Sequence, residues 1–290
     1  METIIVRYGE LALKAKNTRK RFEQRLLSNI NAALGKQSRA RLDYGRVFVE
    51  TNNTKEAINK LTHVFGIVSF SQCTVADAKM ESILDKSISA AKKHIKKGDS
   101  FAVKTNRVGE HNFTSEKINK ELGSLIIKEL GNKVNLSKPD KTISIDIRNK
   151  KAYIYTHSMK GPGGLPVGVE GKVAVLLKNK KDLAAAWIAM KRGCEIVPIF
   201  LKNIDHNWLK AIKEWSHGFE IETETIKSMD LEELEKIIKR YSLLGVFVGE
   251  KLEYVDELKK LKTTVSVPIY TPLVCLPEEN VNSILLSMDV

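Results

Sequence analysis

The sequence predicts an α/β protein whose two halves are built on different plans. Up to about residue 160, strands, helices and hairpins of unequal length are mixed, which is typical of α+β domains. Beyond it, strands and helices alternate regularly, which predicts a doubly wound parallel sheet with right-handed crossovers. The halves meet at Gly161-Pro162-Gly163-Gly164-Leu165-Pro166, where freely rotating glycines and rigid prolines can continue neither a helix nor a central strand.

Charge divides the chain at the same place. Residues 1–170 carry a net charge of +14, whereas residues 171–290 carry −1. This balance favours docking of the first half on a polyanion such as RNA, and a solubilising lysine-rich surface is the alternative. Three cysteines without metal-ligand spacing indicate a reducing compartment, the cytoplasm. Because no apolar run approaches the roughly 18 residues of a membrane span, no membrane association is expected.

The first half is expected to open with a strand over residues 2–8, then a helix from an Asn17 cap to about Leu34. A hairpin over residues 39–51 turns at Tyr44-Gly45. Next come a helix (55–63), a strand (66–71), a helix (80–97) and a strand (101–107). A helix capped by Thr114 runs to about Leu130, and strands 143–148 and 151–157 form a last hairpin.

Basic side chains crowd the start of the first long helix. Cations at a helix N-terminus oppose the helix dipole, so the cluster does not stabilise the helix by itself. An RNA phosphate within reach would reverse the sign of that interaction. Further basic residues lie on the predicted hairpin and strands, and the RNA-binding candidates are Lys14, Lys16, Arg19, Arg21, Arg25, Arg39, Arg41, Arg46, Lys104 and Arg107.

In the second half, strands are predicted near 173–177, 195–201, 220–226 and 243–248. They alternate with helices near 182–192, 207–215, 230–241 and 254–262, and a strand at 268–274 and a helix from Pro277 follow. The first strand, turn and helix form the opening of a nucleotide-binding domain, with phosphate expected at the turn. The candidates for binding a nucleotide or another anion are Leu176, Leu177, Lys178, Asn179, Lys180, Lys181, Asp182, Phe200, Leu201 and Gly249.

The turn itself, Lys178-Asn179-Lys180-Lys181, contains no glycine. Three interpretations stay open. It is a solvated turn without a ligand, a replacement anion site in which lysines supply the charge, or a working phosphate loop. Asp182 could serve as no more than a helix N-cap.

Several motifs follow one another along the chain: Val6–Lys14, Val64–Ser69, Lys104–Arg107 with Phe113, Gly163–Gly168 and Met190–Gly193. In this order they resemble the tRNA sulfurtransferase (4-thiouridine synthetase, ThiI-like) family. The resemblance implies an N-terminal ferredoxin-like domain (1–54), a THUMP RNA-binding domain (55–160), a linker (161–171) and a Rossmann-like PP-loop ATP-pyrophosphatase domain (172–290). It also implies a homodimer that binds tRNA, adenylates a uridine with ATP and Mg²⁺, and replaces its oxygen with persulfide sulfur.

The chain departs from this family at the nucleotide loop. The family has Ser-Gly-Gly-x-Asp-Ser at residues 178–183, and only Asp182, the catalytic candidate, is retained. The family's sulfur-carrying cysteine falls beyond the segment at which this chain ends. The sequence therefore predicts a catalytically impaired tRNA-binding protein that works with a sulfur-donor protein or an intact-loop relative. The alternatives are an active ATP-dependent tRNA sulfurtransferase and a general RNA-binding module.

Overall fold

A computed structural model describes residues 1–9, 15–201, 203–227, 230–249 and 265–290. The strands are β1 (Glu2–Tyr8), β2 (Ser38–Asp43), β3 (Arg46–Thr51), β4 (Ile67–Asp77), β5 (Ser100–Val108), β6 (Lys133–Val134), β7 (Lys141–Arg148), β8 (Lys151–Tyr155), β9 (Met159–Lys160), β10 (Lys172–Leu177), β11 (Glu195–Leu201), β12 (Glu224–Ile226), β13 (Val246–Phe247) and β14 (Ile269–Tyr270). The helices are α1 (Lys16–Leu34), α2 (Thr54–Leu61), α3 (Met80–His94), α4 (Ser115–Leu130), α5 (Asp182–Lys191), α6 (His206–Lys213), α7 (Leu231–Tyr241) and α8 (Glu278–Ser287).

The chain forms two compact units. Unit 1 contains Met1–Arg7, Lys36–Ile58 and Ser69–Lys160, and unit 2 contains Tyr8–Gly35, Asn59–Val68 and Gly161–Val290. In unit 1 the strands form one sheet in the order β2-β3-β1-β4-β8-β7-β5-β6, and β9 pairs with β4. Apolar side chains of α3 and α4 bury one face of β5, β7 and β8. This is the mixed α+β layout that the sequence predicts.

The sheet of unit 1 is strongly curved. Strands β3 and β8 are separated by β1 and β4, so a flat sheet would hold them about 14 Å apart. Nevertheless the rings of Phe48 on β3 and Tyr153 on β8 lie with their centroids 4.4 Å apart. Both rings pack with Ile5 and Cys73 in a small buried cluster. The curvature therefore gives this face of the sheet a core of its own.

Unit 2 contains a five-stranded parallel sheet in the order β12-β11-β10-β13-β14. Successive side chains of β10 point to opposite faces, as the two-residue period of a strand requires. Val173, Val175 and Leu177 join the core formed with α5 and α6, whereas Ala174 and Leu176 join the core formed with α7. Helices on both faces confirm the doubly wound sheet.

Residues 161–171, predicted as a linker, are hydrogen-bonded along their length within unit 2. Gly163 exchanges backbone hydrogen bonds with Gly66 and Ile67, and Gly168 N–H donates to the carbonyl of Gly193. At Gly164 a side chain could not fit, because a Cβ would lie 2.3 Å from the Lys191 carbonyl oxygen and φ is +74°. The glycines thus allow the backbone to approach its neighbours closely.

Most element boundaries match the sequence expectations, with several exceptions. Ala15 precedes α1 without a side-chain cap, so the Asn17 cap was wrong, whereas the Thr114 Oγ1 accepts from Lys117 N–H as expected. The strands expected at 220–226, 243–248 and 268–274 are only two or three residues long, because their pairing with neighbouring strands ends early. The helix expected at 254–262 lies outside the described residues, and β6 and β9 were not predicted.

Candidate phosphate loop and nucleic-acid interface

The predicted phosphate loop lies at the topological switch point of the unit 2 sheet. The strand order reverses at β10, which lies between β11 and β13. Ligands of such sheets bind in the crevice at the carboxyl ends of the strands on either side of this point. Lys178–Lys181 follow β10, and Gly249 follows the end of β13. The structure thus places the turn where the sequence predicts it.

The loop is closed by its own aspartate. The backbone N–H groups of Lys178 and Asn179 donate to Oδ2 of Asp182 at 2.7 and 2.9 Å. Lys181 N–H donates to Oδ1 of Asn179 at 2.9 Å. Asp182 is only 2% exposed and is the first residue of α5, with Lys181 at the N-cap position. Three backbone N–H groups of the loop are therefore bound to the side chains of Asn179 and Asp182.

Gly249 is required by the burial of this carboxylate. A Cβ at position 249 would lie 2.1 Å from Oδ1 of Asp182. The other nucleotide-binding candidates on the strands point elsewhere, because Leu177 and Phe200 belong to the α5 core and Leu176 to the α7 core. Leu201 packs partly buried against the α7 core. Their backbones, rather than their side chains, border the crevice.

The lysines of the loop have separate surroundings. Lys181 forms a 2.8 Å ion pair with Glu278 of α8. Lys180 lines a cavity of about 390 Å³ together with Asp205 and Lys210. Lys180 and Lys181 therefore lie in different surroundings.

The basic residues of α1 lie in unit 2, and Lys14 lies outside the described residues. Arg19 Nε pairs with Glu23 at 2.7 Å, and the Tyr8 hydroxyl donates to the same carboxylate at 2.6 Å. Burial, and then the hydrogen bond to Glu23, raise the pKa of Tyr8 to about 12. The Arg25 guanidinium stacks 4.7 Å from the Phe219 ring, while Lys16 and Arg21 are exposed to solvent.

Four of the other RNA-binding candidates, Arg39, Arg41, Arg46 and Lys104, share one face of the unit 1 sheet, and Arg107 does not. Arg39 and Arg41 on β2 stand opposite Glu50 and Phe48 on β3, and Asp43 stands opposite Arg46. Lys104 on β5 stands beside Ser144 on β7, in the register that also places Asn106 beside Asp146. Arg107 points to the opposite side from Lys104 and donates to the carbonyl of Gly109.

Several of these arginines already have counter-charges. Arg41 contacts Asp43 at 3.1 Å and Glu50 at 3.7 Å. Asp146, only 1% exposed, lies between Arg148 Nε at 2.7 Å and Arg46 Nε at 3.6 Å. Arg46 is therefore part of a buried ion cluster, a structural role that the sequence did not indicate.

Arg7 was not among the sequence candidates, yet it lies on the same sheet face. Its Nη1 donates to the hydroxyls of Ser69 and Ser71 at 3.4 and 3.2 Å, and its guanidinium stacks 4.4 Å from the Tyr155 ring. Alternation along β1 places Arg7 on the face of Ile5, and this periodicity could have identified it.

The cysteines give no reactive pair. Cys73 and Cys194 are buried, and burial raises their pKa values to about 12 and about 11. Cys275 is exposed. Among the described residues, no group of three or more acidic, histidine or cysteine side chains is placed to hold a metal ion. Within the same ranges, no helix has the length and apolar character needed to cross a membrane.

Comparison with known proteins decides the family. A ThiI ferredoxin-like domain model matches residues 3–71 and a THUMP domain model matches residues 77–157. A probable tRNA sulfurtransferase of Methanosarcina mazei is 30% identical, over 96% of this chain and 80% of the relative. The chain belongs to the tRNA sulfurtransferase family. Another probable tRNA sulfurtransferase, from Methanothermobacter thermautotrophicus, is 39% identical over 70% of this chain, and the match spans about half, 53%, of that relative's length.

Solved structures of two other proteins share the fold. PH1313 from Pyrococcus horikoshii superposes with a TM-score of 0.86 over the whole of both chains at 31% identity. A 4-thiouridine synthetase solved in complex with RNA and bound ATP gives a TM-score of 0.85 at 24% identity, over 99% of this chain and 85% of that one. The ferredoxin-like, THUMP and parallel-sheet architecture inferred from the family resemblance is thereby confirmed.

Proposed function

We propose that this protein binds tRNA and binds ATP only weakly, because its phosphate loop has no glycines and its backbone donors are held by loop side chains. The observation that carries the proposal is the pair of hydrogen bonds from the Lys178 and Asn179 N–H groups to the buried Asp182 carboxylate. Pyrophosphate binding depends on such free backbone donors, which glycines in a loop help to arrange. With these donors occupied, ATP and its Mg²⁺ would have to open the loop.

Binding of tRNA is supported by charge and by family. The excess positive charge lies in residues 1–170, which contain the THUMP match. The curated relatives are named for action on tRNA. Filter binding should show an affinity for tRNA that falls with salt at a slope of about −0.7 to −0.9 per phosphate contact. A flat salt response would contradict this part of the proposal.

The impaired-loop part is tested by thiolation. We expect no 4-thiouridine when the purified protein is incubated with tRNA, ATP with Mg²⁺ and a persulfide donor. In this proposal another chain catalyses thiolation. A second candidate function, an active ATP-dependent tRNA sulfurtransferase, is favoured by the names of the 30–39% identical relatives. Robust 4-thiouridine formation would establish the second candidate and overturn the first.

Loop restoration tests the cause directly. The triple variant Lys178→Ser, Asn179→Gly, Lys180→Gly should gain ATP binding in equilibrium dialysis with labelled nucleotide. Leu183 should be kept, because its side chain is fully buried in the α5 core and Leu183→Ser would disturb folding. Lys181→Gln is the matched control, since it removes a loop charge without freeing backbone donors. Unchanged ATP binding in the triple variant would show that the loop sequence is not the cause.

A further inference from the structure

A cleft in unit 1 lies between α3 and strands β1, β4 and β8, and has a volume of about 870 Å³. Lys86, Lys93 and His94 of α3 line one side, and Thr156 and His157 after β8 line the other. None of these residues belongs to the RNA-binding set identified from the sequence. The cleft is wide enough for a phosphate group and part of a nucleotide.

Positive charge dominates the lining. Glu2 is the carboxylate of the lining, and it already accepts hydrogen bonds from the Gln72 amide at 3.0 Å and from the Thr54 hydroxyl. Lys86 has Asp85 at 3.9 Å, but both side chains are largely exposed, so this pair neutralises little. The remaining charged groups of the cleft are cationic or become cationic on protonation.

The two histidines lie in contact. Their ring centroids are 5.4 Å apart, in an edge-to-face arrangement. Burial, and then the neighbouring His157, Lys93 and Lys141, lower the pKa of His94. Every charge that acts on His94 in this way is positive, so a negative charge in the cleft would stabilise the protonated rings.

We infer that this cleft binds a phosphate group, with Lys93, His94 and His157 as its donors. The inference rests on the proposed tRNA binding, because an RNA phosphodiester is one source of the phosphate and a free nucleotide is the other. A bound phosphate supplies the negative charge that is missing around His94. His94, whose pKa is lowered by burial and by its cationic neighbours, then takes up a proton on binding, and affinity rises as the pH falls.

The other titratable side chains of the cleft have ordinary pKa values outside the pH range of the binding measurements. The other titratable groups that line the cleft or act on His94 are Glu2, Cys73, Lys86, Lys93, Lys141 and Tyr155. Their ordinary pKa values lie below about 4.5 or above about 8. The side chains of Cys73 and Tyr155 lie on the opposite sheet face, with Phe48 and Arg7. Met1, with the α-amino group of the chain, also lines the cleft. Measurements between pH 5.5 and 7.0 therefore report chiefly on the histidines.

The first experiment measures the affinity of the protein for labelled tRNA by fluorescence anisotropy, at pH 5.5 and at pH 7.0 and at constant ionic strength. The unmodified protein should bind tighter at pH 5.5 than at pH 7.0, by at most about tenfold for each unit by which phosphate raises the His94 pKa. His94→Gln with His157→Gln should lose most of that ratio, whereas His206→Gln, an exposed histidine of unit 2, should keep it. A double variant with the ratio of the unmodified protein would overturn the inference.

Lys93→Gln provides a second variant that keeps both rings. It should reduce the dependence of log affinity on log salt by about one phosphate contact. An unchanged slope would exclude Lys93 from the site. Thermal unfolding of each variant separates a loss of binding from a loss of structure.

The source of the phosphate is decided by NMR of the imidazole resonances at pH 6.5. Displacement of the His94 and His157 signals by inorganic phosphate or AMP indicates a site for free phosphate compounds. Displacement by tRNA alone indicates an RNA phosphodiester. If inorganic phosphate, AMP and tRNA all leave the His94 and His157 signals in place, the inference that the cleft binds phosphate is wrong. If the protein binds no tRNA, the proposed function fails, and the phosphate and AMP titrations still decide the cleft separately.

Discussion

Asp146 in unit 1 and Asp182 in unit 2 are both buried acids, at 1% and 2% exposure, yet they are stabilised in different ways. Asp182 accepts hydrogen bonds from backbone N–H groups three and four residues before it. Asp146 lies between the guanidinium groups of Arg148 on its own strand and Arg46 on β3. Asp182 therefore closes a loop through hydrogen bonds to nearby backbone, whereas Asp146 links strands of a curved sheet through charged side chains, one of them distant in the sequence.

The two carboxylates also differ in whether their neighbours need a negative charge or only a hydrogen-bond acceptor. The short contact of Arg148 Nε with Asp146 lacks hydrogen-bond alignment, so it depends on charge. Asp182 instead receives two N–H groups on a single oxygen, and a neutral amide oxygen could accept the same bonds. Substitution by asparagine should therefore separate the two sites.

The largest effect is expected at Asp146. Asp146→Ala should lower the free energy of unfolding by about 3–5 kcal/mol, because it leaves buried guanidinium charge without its partner. Asp146→Asn should cost nearly as much. Urea denaturation measures both, and Asp43→Ala, which breaks an exposed pair with Arg41, serves as a control with a cost below about 1 kcal/mol. A stable Asp146→Asn protein would contradict the ionic account.

A smaller effect is expected at Asp182. Asp182→Ala should destabilise unit 2 by about 1–3 kcal/mol, because the N–H groups of Lys178 and Asn179 lose their acceptor. Asp182→Asn should cost less than half as much, since its amide oxygen can accept both bonds. Hydrogen exchange of the Lys178 and Asn179 backbone amides measures directly whether these two hydrogen bonds persist in each variant. Equal costs for the two variants would remove the contrast with Asp146.

The exposed cations of α1 should affect binding rather than stability. Arg21→Gln should weaken tRNA binding and reduce the salt slope by about one contact, with unfolding unchanged within about 0.5 kcal/mol. Arg46→Gln, by comparison, should first lower stability, because it removes a partner of Asp146. Filter binding and urea denaturation of the two variants test the comparison. Equal stability losses would show that the ion cluster is not the cause.

The smallest effect is expected at the ion pair between Lys181 and Glu278. Both side chains are about half exposed, at 52% and 43%, so a double-mutant cycle should give a coupling of about 0–1 kcal/mol. The coupling should shrink in high salt. A coupling above about 2 kcal/mol would mean that this pair, and not Asp182 alone, fixes the loop.

Local patterns in the sequence were sufficient for most elements. The strands β5 and β7, the Thr114 cap of α4 and the strand, turn and helix around residue 178 are all confirmed. Short strands such as β6 and β13 were missed or overextended, because two residues leave too little periodicity to recognise. The RNA-binding residues identified from the sequence remain predictions.

By itself, the sequence determined the change of plan near residue 161, the one-sided charge and the lysine-rich turn with its single retained aspartate. These features depend on neighbouring residues and on composition, which a sequence displays directly. Only the tertiary structure decided that Asp182 occupies the donors of its own loop, that Asp146 joins Arg46 to Arg148, and that His94 meets His157 in a cleft. Such contacts depend on how strands pair and how a sheet curves, and pairing brings together residues whose separation along the chain carries no local pattern.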